Sequence, residues 1–121
     1  MNEKKLQKIL RNFASKRDWE KFHNLKNLAV SISIESSELL EIFQWTNEKD
    51  DLIKKKEIKK KIAEEVADIM LYLLRFCDLA KLDIESICLN KINLNKKKYP
   101  IKLAKGVSTK HDILKNNENK K

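Results

Sequence analysis

The sequence has little of what tight turns need, because it contains one glycine, Gly106, and one proline, Pro100. Folds rich in β-strands use many tight turns, so this scarcity indicates a helical fold. The single glycine also excludes the glycine-rich loops of Walker and Rossmann phosphate sites. No apolar run reaches the roughly 18 residues of a membrane span, and the N-terminal segment MNEKKLQKIL lacks the apolar core of a secretory signal. We therefore expect a cytoplasmic protein.

Cysteine and histidine are also scarce, with two residues of each. Cys77 and Cys88 lie in apolar helical contexts, which favours reduced packing residues over a disulfide or a zinc site. Positive charge is abundant, since 27 Lys and Arg against 18 Asp and Glu give a net charge of +9. A basic chain can bind nucleic acid. However, the lysines crowd residues 54–61 and the region after residue 91, which favours a solvated surface or a polyanionic small molecule as partner.

The length of 121 residues suits one domain. We assign residues 1–110 to an all-α domain and residues 111–121 to a basic, disordered tail, because apolar periodicity ends after Gly106. Apolar spacing predicts four helices, at about 3–17, 25–45, from a start between 52 and 57 to about 81, and 84–97. Asp83 is the expected N-cap of the fourth helix, and Pro100 cannot continue that helix.

The second predicted helix has apolar residues on two sides. One side comprises Leu25, Leu28, Ala29, Ile32, Leu39 and Phe43, whereas Val30 and Ile34 lie opposite. A helix that is apolar on both sides is buried on both sides. We therefore expect a four-helix bundle that is completed by homo-oligomerisation, as a dimer or a tetramer. The core stripe predicted for the third helix comprises Ile62, Val66, Ile69, Leu73, Phe76 and Ala80.

Two pairs of carboxylates stand in apolar helical segments: Glu35 with Glu38, and Glu65 with Asp68. Residues three apart share a helix face, with Cβ atoms roughly 5–6 Å apart. Two such helices side by side would gather four oxygen donors, which Mg²⁺ prefers and Mn²⁺ also accepts. A single Glu-x-x-Glu pair is usually a solvated surface feature, so spacing alone leaves a metal site and a solvated face both open.

The available chemistry favours one class of reaction. Mg²⁺ and Mn²⁺ typically bind substrate phosphates, polarise phosphoryl oxygens and activate water. No serine triad or cysteine–histidine pair occurs in a suggestive context. Metal-assisted hydrolysis of a phosphoanhydride is therefore the favoured reaction. The alternatives are a basic helical module that binds nucleic acid and a structural interaction protein, neither of them catalytic.

The acidic motif, Glu35-x-x-Glu38 followed by Glu65-x-x-Asp68, resembles that of the MazG-like, all-α nucleoside triphosphate pyrophosphohydrolases. Further short motifs resemble the dCTP pyrophosphatase branch of this family. They are Arg17-Asp18-Trp19-Glu20-x-Phe22-His23, Asn27-Leu28, Phe43-Gln44-Trp45, Tyr99-Pro100 and Lys105-Gly106. The branch often has a histidine where this chain has Leu10. The family often has a glycine between the first two acids, where this chain has Ser36-Ser37. These departures leave the base preference open.

The resemblance implies a Mg²⁺-dependent enzyme that splits a nucleoside triphosphate, dCTP or a related pyrimidine deoxynucleotide, into the monophosphate and pyrophosphate. The implied metal ligands, which are also the catalytic residues, are Glu35, Glu38, Glu65 and Asp68. The implied substrate-binding residues are Trp19, His23, Trp45, Tyr72, Lys91, Asn95 and Lys98. The aromatic residues among them have a second interpretation, since Trp19 and Trp45 could be core or interface residues and Tyr72 a core residue with a wet hydroxyl.

Overall fold

The computed structural model describes residues 1–47 and 50–108, and every regular element in these ranges is helical. The α-helices are α1 (Glu3–Lys16), α2 (Leu25–Phe43), α3 (Lys56–Ala80), α4 (Ile84–Lys98) and α5 (Ile101–Ala104). Short 3-10 helices span Glu20–Phe22 and Leu52–Lys54. The predicted all-α class is therefore confirmed. The expectation of a disordered tail over residues 111–121 lies outside the described residues.

The segment between α1 and α2 turns sharply and positions Trp19. At its start, α1 is capped by Asn2, whose side-chain oxygen accepts a hydrogen bond from the backbone N–H of Lys5 at 3.0 Å. Beyond its end, Asp18 adopts a left-handed φ of 54°, which aspartate tolerates better than most residues. This turn lets the backbone N–H of Trp19 donate to the carbonyl of Ala14 at 2.9 Å. Trp19 is thereby folded back against the end of α1.

Polar side chains set both ends of α2. The side-chain oxygen of Asn24 accepts a hydrogen bond from the backbone N–H of Asn27 at 2.8 Å and caps the N-terminus. At the other end, the hydroxyl of Thr46 donates to the carbonyl of Phe43 at 2.8 Å, and the Thr46 backbone N–H donates to the same carbonyl at 3.1 Å. The helix therefore ends at Phe43, before the boundary at Trp45 that apolar spacing predicts.

The core of the first compact unit, Met1–Leu82, forms around α3. This helix packs against α1, α2 and the 3-10 helix that precedes it. The buried apolar side chains are those of Ala14, Leu28, Leu52, Leu74 and Cys77. Gln7 also ties α1 to α3, because its Nε2 donates a partly buried hydrogen bond to the carbonyl of Leu74 at 2.9 Å.

The core stripe predicted for α3 is partly wrong. Val66 belongs to that stripe but is 48% exposed, whereas Leu74 and Cys77 lie outside it and are buried. The neighbouring Arg75 is only 7% exposed. Apolar periodicity identifies the apolar faces of a helix but does not show which face packs against a neighbouring helix. The burial of Arg75 was not predicted because arginine usually lies at the surface.

A second compact unit begins at Asp83 and contains α4 and α5. The predicted N-cap is confirmed, since Oδ1 of Asp83 accepts a hydrogen bond from the backbone N–H of Ser86 at 2.9 Å. Pro100 follows α4 as expected, but the short α5 after it was not predicted. The assignment of residues 1–110 to a single domain stays a prediction. Within residues 1–47 and 50–108, no helix has both the length and the apolarity needed to cross a membrane.

Candidate metal centre and adjacent cleft

The four acids predicted to bind metal lie on two helices that pack together. Glu35 and Glu38 are on α2, and Glu65 and Asp68 are on α3. One carboxylate oxygen from each of Glu35, Glu38 and Glu65 lies within 4.8 Å of the other two. Helix packing therefore gathers three of the four predicted ligands into one cluster, which we call the acidic cluster.

The acidic cluster contains two buried carboxylate oxygens that no donor among the described residues satisfies. Oε2 of Glu35 and Oε2 of Glu65 are buried and have no hydrogen-bond partner within the described part of the chain. Burial, reinforced by Glu38 and then by the charges of Asp68 and Glu65, raises the pKa of Glu35 to about 7. The pKa of Glu65 is also raised, by burial first and then by Glu38 and Asp68. Buried, ionised carboxylates are unfavourable unless a cation or a proton compensates them.

Asp68 lies at the edge of this cluster. It is outside the group of three oxygens within 4.8 Å. Its charge nevertheless raises the pKa of both Glu35 and Glu65, so it is within electrostatic reach of them. The side chain of Asp68 also lines a neighbouring cleft. Asp68 therefore connects the acidic cluster to that cleft.

The donor set of the acidic cluster fits a hard divalent cation. All of its candidate ligand atoms are carboxylate oxygens, which suit Mg²⁺ or Mn²⁺ better than a thiophilic metal. The two buried oxygens without donors are the atoms that a cation would satisfy. The residues present therefore fit the predicted Mg²⁺, with Mn²⁺ as the alternative.

The cleft beside Asp68 has a volume of about 390 Å³ and is formed by residues of α1, the following turn and α3. Its aliphatic side chains are those of Leu6, Ile9, Leu10 and Leu71. Its aromatic and polar side chains are those of Phe13, Trp19, His23, Asp68, Tyr72 and Arg75. The ring of Trp19 packs edge-on against Phe13, with centroids 5.7 Å apart. The cleft thus brings together three predicted substrate-binding residues, Trp19, His23 and Tyr72.

One side chain that the sequence interpretation missed, that of Arg75, holds His23 in this cleft. Nε of Arg75 donates a hydrogen bond to Nδ1 of His23 at 3.2 Å. Asp78 accepts hydrogen bonds from Nη1 of Arg11 at 2.9 Å and forms an ion pair with Nη1 of Arg75 at 3.5 Å. Burial, and then the positive charge of Arg75, lowers the pKa of His23. The sequence signal for this network is an arginine and an aspartate three residues apart within residues 69–80, the largely apolar last part of α3.

The other predicted substrate-binding residues lie elsewhere in the chain. Trp45 follows the end of α2, is 91% exposed and is not among the residues that line this cleft. Its exposure rules out the interpretation of Trp45 as a core residue of the single chain. Lys91, Asn95 and Lys98 lie on α4, and their spacing of four and three residues places them on one face of that helix. The roles of these four residues stay predictions.

Residues 30–114 match the MazG-like family. That range is most of the chain and includes all four of the predicted metal ligands. The chain belongs to the MazG-like family.

The individual relatives include members of the dCTP pyrophosphatase branch of this family. The chain is 31% identical to dCTP pyrophosphatase 1 of Homo sapiens and 30% identical to dCTP pyrophosphatase 1 of Rattus norvegicus, over 111 residues in each case. These alignments cover 90% of this chain and 65% of each relative, so the chain spans about 65% of the length of these relatives. A pyrophosphatase from Archaeoglobus fulgidus with a crystal structure is 44% identical, with a TM-score of 0.73 over 83% of this chain and 94% of that one. The predicted resemblance is therefore confirmed.

One departure from the branch falls in the cleft of this MazG-like chain. Leu10, which stands where the branch often has a histidine, is one of the side chains that line the cleft. The cleft wall of this chain is therefore aliphatic at that position. His23 and Arg75 are the basic side chains among the residues that line the cleft.

Proposed function

We propose that this protein hydrolyses a nucleoside triphosphate, with dCTP or a related pyrimidine deoxynucleotide as the preferred substrate, to the monophosphate and pyrophosphate. The observation that carries the proposal is the acidic cluster, with two buried oxygens that have no donor among the described residues, beside a cleft with aromatic walls. A site for a nucleoside triphosphate needs both features, because a bound cation must contact the phosphates and a flat pocket must hold the base. Buried acids at such a site oppose the alternative of a basic nucleic-acid-binding or purely structural module.

The carboxylates would act by holding a cation between themselves and the substrate. A triphosphate is densely anionic, so Glu35, Glu38, Glu65 and Asp68 would repel it if no cation were bound. When bound there, Mg²⁺ would polarise phosphoryl oxygens and favour attack by water. Asp68 lines the cleft as well as influencing the cluster, so it would meet the phosphate end of a nucleotide whose base lies in the cleft.

The cleft would bind the base and the sugar. Trp19 and Tyr72 offer aromatic surfaces, and stacking of a base on such a surface contributes roughly 1–3 kcal/mol. The volume of about 390 Å³ is at the lower end of small-molecule sites and suits a single-ring base better than a large ligand. The preference for dCTP is supported by the similarity to dCTP pyrophosphatase 1.

Three further residues are proposed to contact the phosphates. Lys91 and Lys98 supply positive charge, and Asn95 supplies an amide between them on the same face of α4. Oppositely charged contacts of this kind would stabilise the negative charge of a leaving pyrophosphate. An activity of this type would control the nucleotide pool of the cytoplasm.

Product analysis tests the proposal. The protein is incubated with Mg²⁺ and each of the four deoxynucleoside triphosphates in turn, and the products are separated by anion-exchange chromatography. We expect monophosphate and pyrophosphate in equal amounts, fastest from dCTP or another pyrimidine. Diphosphate and inorganic phosphate as products, or no turnover of any nucleoside triphosphate with either Mg²⁺ or Mn²⁺, would overturn the proposed function.

A further inference from the structure

The side chain of Arg75 is buried in an unusual position for an arginine. It is 7% exposed and lies on α3, one helical turn after the cleft residue Tyr72. Its guanidinium donates a hydrogen bond from Nε to Nδ1 of His23 at 3.2 Å, and its Nη1 forms an ion pair with Asp78 at 3.5 Å. Burying a guanidinium is unfavourable unless its donors are used, so this placement indicates a role for the bonds it makes.

The bond to His23 determines what that ring can do. Arginine is always a donor and always charged, so Nδ1 of His23 must be the unprotonated nitrogen. In a neutral imidazole the other nitrogen, Nε2, then carries the proton and is a hydrogen-bond donor. A protonated ring would lose the bond to Arg75 and would face its positive charge, which agrees with the lowered pKa of His23.

We infer that Arg75 is a positioning residue, which fixes His23 as a neutral ring whose Nε2–H is presented to an acceptor atom of the nucleotide in the cleft. This inference rests on the proposed function for its substrate. Both residues line the cleft beside Trp19 and Tyr72. A carbonyl of the base or an oxygen of the sugar is the class of acceptor that such a donor suits.

The chain offers a matched control for Arg75. Arg11 donates to the same carboxylate, Asp78, at 2.9 Å, but within the described residues it forms no hydrogen bond with His23. Arg75→Met and Arg11→Met therefore remove the same charge, and each leaves Asp78 with one arginine. Only the first variant removes the bond to His23. Arg75→Lys keeps the positive charge but lacks the Nε donor. It replaces Arg75→Met in the comparison if Arg75→Met does not fold.

The state of the ring is read directly by ¹⁵N NMR of the imidazole nitrogens. The chain has two histidines, so a His111→Gln background leaves the signals of His23 alone. Other charged groups near His23 can influence the same titration. A second cleft beside His23 is lined by Arg11 on α1, Glu20 in the 3-10 helix, Arg75 and Asp78 on α3, and Lys81, which caps α3. Asp68 on α3 lines the first cleft with His23. We expect the neutral Nε2–H form in the parent and in Arg11→Met near pH 6.5, with a larger cationic fraction and both neutral tautomers in Arg75→Met.

Kinetics then tests whether the ring contacts the nucleotide. Loss of one hydrogen bond should raise KM for dCTP by about five- to tenfold in Arg75→Met, with kcat changed by less than about twofold. His23→Gln should have a similar effect, and the double variant should be no worse than His23→Gln alone, because the two residues act as a unit. Arg11→Met should leave KM within about twofold of the parent.

The outcomes separate the positioning role from the proposed function. Additive effects of Arg75→Met and His23→Gln, or ring signals that Arg75→Met and Arg75→Lys leave unchanged, would overturn the positioning role even in an active enzyme. If the parent hydrolyses none of the four deoxynucleoside triphosphates with Mg²⁺ or Mn²⁺, the proposed function fails. The NMR comparison of Arg75→Met with Arg11→Met then still decides whether Arg75 fixes the ring.

Discussion

Glu35 on α2 and Glu65 on α3 meet where the two helices pack, and each buries its Oε2 atom without a hydrogen-bond donor in the described residues. An oxygen of each, together with one of Glu38, falls within 4.8 Å of the others. Such a cluster destabilises the fold on its own, since like charges repel and burial removes their hydration. It becomes favourable when a cation binds, so the arrangement is explained by ligand binding and not by stability.

The metal-free protein should lose stability as pH rises from about 4.5 to about 7. The pKa of Glu35 is raised to about 7 in the folded chain, from 4.5, so between these values the folded state binds more protons than the unfolded state and the free energy of unfolding falls with pH. Glu35→Gln removes this group and should flatten that slope. Urea unfolding at several pH values in a chelator checks this, and an equal slope in the parent and in Glu35→Gln would contradict it.

Mg²⁺ should raise the melting temperature at pH 8 and have less effect at pH 5, where Glu35, with its pKa raised to about 7, is protonated. A ligand that binds only the folded state stabilises it by about 2.7 kcal/mol at a hundredfold excess over Kd. Glu65→Gln should lose most of this gain. Glu64→Gln, which changes an exposed neighbour on α3, should keep it. Differential scanning calorimetry gives the comparison, and an equal Mg²⁺ effect in the two variants would count against the acidic cluster as the binding site.

Several features of this fold could be predicted from the sequence because local chemistry decides them. The expected N-cap at Asp83 and the expected stop at Pro100 predicted both ends of α4 to within one residue. The acids spaced three residues apart predicted the acidic cluster. The burial of Arg75 and the mutual position of Arg75 and His23 could not be predicted, because they depend on a contact between residues 52 positions apart. The predicted end of α2, at about Trp45, was wrong for a local reason, because Thr46 caps the helix at Phe43.

Trp19 should be needed for nucleotide binding in the cleft. It packs edge-on against Phe13 and is 43% exposed, so part of its ring is available to a ligand. Trp19→Ala should raise KM for dCTP by roughly tenfold or more, since a lost stacking contact is worth about 1–3 kcal/mol, whereas Trp19→Phe should be milder. In a Trp45→Phe protein, Trp19 is the single tryptophan, and its fluorescence should change when a non-hydrolysable dCTP analogue binds. Unchanged fluorescence at saturating analogue would contradict this role.

Trp45 is predicted to contact the base even though it is 91% exposed in the single chain. Trp45→Ala should raise KM for the preferred deoxynucleotide by about ten- to a hundredfold and blur the preference among bases, with the metal requirement unchanged. Trp45→Phe keeps a flat ring and should retain most of the preference. The measurement is kcat/KM for all four deoxynucleotides beside the melting temperature. A uniform loss that follows stability would refute the contact with the base.

Homo-oligomerisation is expected from the apolar residues that α2 exposes. Val30 is 49% exposed, Ile34 52% and Leu40 65%, and large exposed apolar surfaces commonly mark interfaces. Light scattering at micromolar concentration should show a dimer or a tetramer. Leu40→Glu should lower the measured mass, whereas Lys4→Glu, an exposed change on α1, should not. A folded parent monomer at that concentration would contradict the expectation.

The metal centre is tested most directly by the rate of pyrophosphate release from dCTP as Mg²⁺ is titrated, for the parent, Glu65→Gln and Glu64→Gln. We expect no release in chelator and a saturable rise with Mg²⁺ in the parent. We also expect a loss of at least about a hundredfold in Glu65→Gln and a change of less than about twofold in Glu64→Gln. Release that persists after exhaustive chelation, or equal rates for Glu65→Gln and the parent, would contradict the acidic cluster as the metal centre of a pyrophosphohydrolase.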